Sequence, residues 1–207
     1  MMGPELRYDE ENLVRLLSVL GPDGKATFAA ACAERLLPVY RWFNRHSGSG
    51  NAARLEEALA ALWMALGGKP VDGLDAHQRA AEELVPREDE DWVDGAAYAG
   101  NAAAAVAYAL SALLNDSAQE AAWAARQVYE ALDYRITTRD DIDFNTIGVQ
   151  EQVEADQIVQ RELARQLRDL DLLHLAGSPE ALKTVAAQLL AEARSEGVTV
   201  FDFDVET

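Results

Sequence analysis

The chain has 207 residues, of which 49% are hydrophobic and 26% charged, enough apolar material for one domain with a real core. Its 18 Lys and Arg stand against 36 Asp and Glu, a formal net charge of -18 and a pI of about 4.4. That balance excludes a nucleic-acid binder that works by neutralising phosphates and argues against docking on anionic lipid. The ordinary apolar fraction excludes a disordered chain.

Helical periodicity runs through most of the sequence. Leu13, Leu16, Leu17 and Leu20 share one face of a predicted helix from Glu10 to Leu20, which Gly21-Pro22 stops. A second helix is predicted from Lys25 to Arg45, with Phe28, Cys32, Leu36, Tyr40 and Phe43 three and four residues apart. Pro38 lies inside it and is expected to kink or split it. After Ser47-Gly48-Ser49-Gly50, Asn51 caps a third helix to Leu66, closed by Gly67-Gly68. Asp75 is read as the cap of a fourth helix through Val85, ended by Pro86.

The acidic loop Glu88 to Asp91 then leads into an alanine-rich helix from Trp92 to Leu114. Gly100, Ala102 to Ala105 and Ala109 leave it almost no side-chain bulk, so it is predicted as the central helix, approached closely by its neighbours. Ser117 and Glu120 have capping-box spacing and open a sixth helix to Ile136. Residues 137–148 read as polar and irregular. A long seventh helix is predicted from Val149 to His174, and Ser178-Pro179 opens an eighth that Gly197 ends. Val198 to Val205 alternates apolar and polar in its second half and reads as an extended segment, suited to pair with its counterpart in a second copy or to remain a tail. The expectation is an all-α fold: a single domain over residues 1–207, about eight helices around the alanine-rich one, with an extended tail at 198–207. No repeat of solenoid length occurs.

Cys32 is the only cysteine, so no intramolecular disulfide forms, and the polar N-terminus lacks the basic and apolar regions of a signal peptide. The longest nearly apolar run, Ala102 to Leu114, is short of the roughly 20 residues of a membrane span. A cytoplasmic location is expected. Lys25, Lys69 and Lys183 are the only lysines, and the negative charge is spread over both halves of the chain. Such a surface reflects either the host's overall composition or a basic partner.

Glu34 and Arg35 stand out as charges on a largely apolar helix, beside Pro38 and Tyr40. Buried charges need partners whatever their role. Structurally, Glu34 would pair with a buried arginine or serve backbone groups freed by the proline; functionally, a carboxylate at a kink would bind a ligand. Asp171 and His174 have i, i+3 spacing, a single half of a di-iron motif, and no metal or cofactor is expected. Glu151, Glu154 and Asp156 read as a charged face that complements a helix dipole. The runs at 88–91, 140–143 and 202–206 read as solvated; 140–143 lacks the glycine and closing glutamate of a calcium loop. Cys32 reads as a small buried apolar residue. No phosphate-binding glycine loop, nucleophile elbow or Cys-x-x-Cys is present.

Phe28, Glu34-Arg35, Pro38, Tyr40 and Phe43 together resemble the signature of the YjaG-like family of uncharacterised bacterial proteins, domain of unknown function number four-sixteen. Gly48, Gly50, Trp63, Glu82 to Pro86, Ala109 to Ser111, Val149 to Gln157 and the C-terminal segment extend the resemblance over almost the whole chain. It departs at Ala105, where relatives tend to carry an acid, and at Ala124 or Ala125, where they tend to carry a hydroxyl. The resemblance implies an all-α, single-domain bacterial cytosolic protein and no established activity.

The first functional reading is a non-enzymatic helical protein acting through protein–protein contacts, as a homodimer or other homo-oligomer. The absence of a catalytic constellation motivates it. One alternative is an acidic immunity or antitoxin-type protein masking a basic partner. The other is a small-molecule or metal-dependent enzyme with a site at Glu34, Arg35, Pro38 and Tyr40, with Trp63 nearby.

Overall fold

The computed structural model describes residues 5–86, 95–138 and 148–200. Trp92 and the acidic runs at 88–91, 140–143 and 202–206 therefore lie outside the described residues. Within them are nine helices and no strand: α1 (Glu10–Leu17), α2 (Pro22–Ser47), α3 (Ala52–Leu66), α4 (Leu74–Glu82), α5 (Ala96–Leu114), α6 (Ala118–Thr137), α7 (Val149–Ala155), α8 (Gln157–Leu175) and α9 (Pro179–Val200).

Local chemistry sets most of the helix starts. Side-chain oxygens of Asp9, Asn51, Ser117 and Asp156 accept from backbone N–H groups of Asn12, Arg54, Glu120 and Ile158, which would otherwise lack partners. Gly48, at φ 70°, closes α2 in a left-handed conformation that costs glycine little. The predicted cap of α4 is corrected: Gly73 precedes the helix, and Asp75 sits in the first turn, where it complements the dipole and pairs with Arg79 at 3.0 Å.

Three longer-range expectations are also corrected. The predicted seventh helix is two helices, α7 and α8, because Asp156 is extended (ψ 137°) and its carboxylate caps a new N-terminus. Hence the described residues hold nine helices, one more than the eight predicted elements. Pro38 does not split α2, which runs unbroken for 26 residues. An interior proline costs about 3 kcal/mol or more, and burial of α2 on nearly every side offsets it. Finally, α9 passes through Gly197 and stays helical to Val200, so the extended tail does not begin at Val198.

The centre of the fold is a helix pair. α2 and α5 pack on each other more extensively than any other elements, and α6 lies against both. Ala26, Ala29, Ala30 and Ala33 of α2, Ala102, Ala103, Ala105 and Ala109 of α5, and Ala121, Ala122, Ala124 and Ala125 of α6 are fully buried. Such small side chains let the helix axes approach. By length and composition α5 also qualifies as a membrane span, with mean hydropathy 1.4, but 61% of that window is buried against the other helices. It is a core helix. α3 and α4 cover one side of the pair, and α8 and α9 close the other against α2.

Gly197 explains how α9 comes so near. A Cβ there would lie 3.0 Å from the Arg35 carbonyl oxygen and 3.2 Å from both Arg35 Cα and Pro38 Cγ. These are rigid atoms. Gly197→Ala, which elsewhere in a helix gains up to about 1 kcal/mol, is expected here to lower stability by about 1–2 kcal/mol through overpacking, read from the urea midpoint.

Candidate functional site

Arg35 occupies the middle of α2 with 0% of its surface exposed. A guanidinium cannot shed its charge, so its partners must come to it. Nε donates to Glu196 Oε2 of α9 at 2.9 Å, Nη1 to Glu162 Oε1 of α8 at 3.3 Å, and Nη2 to Asp169 Oδ2 of α8. Glu162 and Asp169 are seven residues, two turns, apart and therefore share a face. An outer layer neutralises the acids. Arg168 donates to Asp169 Oδ1 at 2.6 Å and to Glu196 Oε1 at 2.8 Å, while Arg165 lies 3.4 Å from Glu196 and 3.7 Å from Glu162. Three arginines thus meet three carboxylates between α2, α8 and α9.

Position within this cluster decides how each acid titrates. Burial pushes Glu162 above the ordinary glutamate range, and Arg35 only partly opposes it. Burial also works against the charge of Glu196, but the bonds from Arg168 and Arg35 outweigh it and hold the carboxyl below 4.5. Desolvation disfavours the Arg35 cation, yet Glu162 and Asp169 overcome it and keep the group charged. Cys32 is buried as expected, its Sγ 3.8 Å from Arg35 Nη1, and burial raises its thiol pKa.

Glu34, one residue earlier, points elsewhere. Its oxygens accept from Trp63 Nε1 of α3 and from Arg194 Nε of α9, both at 2.9 Å. The arginine it meets is 61% exposed at the side chain, not the buried one anticipated. The Tyr40 ring is fully buried, and its hydroxyl accepts from the Asn51 backbone N–H at 3.3 Å where α3 begins. Pro38 lies against Gly197. The structure therefore joins Glu34 to Trp63 but separates both from Arg35, and the five motif residues tie α2 to three other helices. The polar groups of Glu34 and Arg35 are engaged by protein partners. Glu162, Asp169, Glu196 and Arg168 were not singled out from sequence, although acids at 162 and 169 on the apolar stripe of Val159, Leu163, Leu170 and Leu173 carried the signal.

A second feature lies across α8 from this cluster. Leu6, Tyr8, Leu13 and Leu16 face Leu163, Leu167 and Leu170 across an open furrow of about 250 Å³. His174 does not complete its half-motif with Asp171; its Nε2 lies 3.0 Å from the Leu16 carbonyl oxygen and bridges α8 to α1. Beyond that bridge a second hollow of about 460 Å³ is lined by Val19, Leu20, Gly21, Gly24, Leu173, Ala176 and Leu182.

A family profile described as "Protein of unknown function (DUF416)" matches residues 13–200. The number agrees with that of the resemblance above; the narrower YjaG-like label is not confirmed. The chain is similar to a crystal structure of a DUF416 family protein from Shewanella baltica OS155, with 22% identity and a TM-score of 0.73. The match covers 86% of this chain and 93% of that one, and at this identity the likeness is one of fold. No curated protein matches the chain.

Arg35→Met removes the buried cation that Glu162, Asp169 and Glu196 share, leaving only the outer Arg165 and Arg168, and is expected to cost about 3–5 kcal/mol in urea denaturation. Acid titrations separate the two glutamates. Glu196 is depressed, so its stabilisation is complete above 4.5 and is lost as pH falls through its lowered pKa. Glu196→Gln is expected to remove that acid-side loss. Glu162 is raised, so stability falls as pH climbs from 4.5 through its folded pKa. Glu162→Gln is expected to remove that fall, gaining on wild type as pH rises.

Proposed function

This chain belongs to the DUF416 family of proteins of unknown function, and from that premise we propose that it is a non-enzymatic helical protein acting through protein–protein contacts on the seam between α1 and α8. One observation carries the reading. Of the five large apolar side chains exposed among the described residues, Leu167 (41% exposed) lines the furrow, Val19 (75%) lines the hollow, and Leu175 (81%) is the last residue of α8. Apolar surface gathered in one place marks a contact site rather than random exposure. The Glu34–Arg35 motif supports the same view from the other side, since protein groups already take up its donors and acceptors. That weighs against an enzyme site at Glu34, Arg35 and Tyr40.

The net charge of -18 favours a second reading within the same class, in which the partner is basic and the acid surface draws it in. Both readings place a protein against the seam. With a benzophenone photocrosslinker at position 175, irradiation in host extract is expected to trap another polypeptide, either a second copy or a different protein. Leu167→Asp in the same background is expected to abolish the product while leaving the melting temperature unchanged. A crosslinker that captures no chain overturns the proposal.

A further inference from the structure

We propose that the furrow between α1 and α8 binds a small, uncharged, mainly apolar molecule that donates one hydrogen bond from a hydroxyl group. The side-chain amide of Gln166 carries the inference. Gln166 lines the furrow yet is only 4% exposed. Its Nε2 donates to Glu162 Oε1 at 3.1 Å and reaches the Ala125 carbonyl oxygen of α6 at 3.5 Å. Both partners are acceptors, since Glu162 Oε1 also receives Arg35 Nη1 and a backbone carbonyl carries no proton. The amide nitrogen is therefore held toward the ion cluster, and its oxygen is left over. Among the described residues Gln166 Oε1 accepts no hydrogen bond. Its donor must come from water in the open furrow or from a ligand that displaces that water.

The rest of the furrow limits what that ligand can be. Its walls are leucines of both helices and the Tyr8 ring. Polar groups near the mouth already have partners. Asp9 accepts from the Asn12 N–H, Asn12 Oδ1 from Arg15, and the Tyr8 hydroxyl reaches the Ala122 carbonyl oxygen. An anion would set its lone pairs against the free oxygen and meet a chain of net charge -18. An ammonium group could donate, but it would lose its hydration among leucines. A neutral hydroxyl donates without either cost. The volume of about 250 Å³ equals that of about eight waters at roughly 30 Å³ each, room for one ring with a short alkyl chain. Neither Val19 nor Leu175 lines the furrow, so the inference does not rest on the contact reading.

Three probes test it: 4-propylphenol, propylbenzene, which lacks the hydroxyl, and 4-propylbenzoate, which is anionic. Each is titrated into the full chain and followed by proton–nitrogen correlation spectra, in which the Gln166 side-chain amide reports on the furrow. 4-Propylphenol is expected to shift that amide saturably and to bind about tenfold tighter than propylbenzene, which leaves the oxygen unpaired. 4-Propylbenzoate is expected to bind more weakly than either. Gln166→Met should bring the phenol and propylbenzene to equal affinity. Leu167→Trp, at an exposed position on the furrow wall, should weaken both at least about tenfold at an unchanged melting temperature. No saturable shift with the phenol overturns the inference. So does a phenol no tighter than propylbenzene, a benzoate as tight as the phenol, or binding that Leu167→Trp leaves intact. Should Gln166→Met fail to fold, the probe ranking and Leu167→Trp decide the question without it.

Discussion

One cation sets the terms for this fold. Arg35 sits where α2 is most deeply enclosed, and taking an ion of that size from water costs several kcal/mol even after relaxation. The cost is met only if carboxylates are delivered to three sides of the guanidinium with hydrogen-bonding geometry. That requirement governs how α8 and α9, both rich in charged residues, dock onto an alanine-rich core. It also accounts for details that otherwise look unrelated. Gly197 lets the α9 backbone come close to Arg35 and Pro38, and its neighbour Glu196 then reaches the guanidinium at 2.9 Å. Arg165 and Arg168 follow because three acids around one cation would leave negative charge unbalanced.

Features settled within a few residues were legible in the sequence, and features settled across the fold were not. The caps at Asn51 and Ser117 and the alanine helix belong to the first kind, since a side chain and a nearby N–H, or a lack of bulk, act wherever the helix lies. Pro38 and Gly197 belong to the second. Read locally, proline interrupts and glycine terminates, yet burial holds α2 intact through the first and close packing uses the second. Glu34 and Arg35 were visible as charges out of place on an apolar helix. Their partners lie as far as 161 residues away and no spacing rule links them to α2. The i, i+7 acids of α8 were the exception, a pair whose position on a buried stripe already demanded a cation.

The formal charge of -18 conceals an uneven distribution. In the interior, cations and anions meet in near-equal number around Arg35, and there each charge has a structural partner. The acid excess lies outside that cluster, where like charges on separate copies repel. A single total therefore describes two regimes with different consequences, pairing within and repulsion without.

The alanine seam between α2 and α5 has a consequence for uniqueness. Methyl groups facing methyl groups present much the same surface after a slip of one helical turn, so such a contact gives closeness but little sense of position along the axis. Larger side chains would supply that sense by fitting only one set of gaps. Here the pin is electrical. A slip of α2 by about 5.4 Å would carry Arg35 out of reach of Glu162, Asp169 and Glu196 and leave its own buried charge without them. A smooth interface is thus held in register by an ion cluster on the opposite face of the same helix.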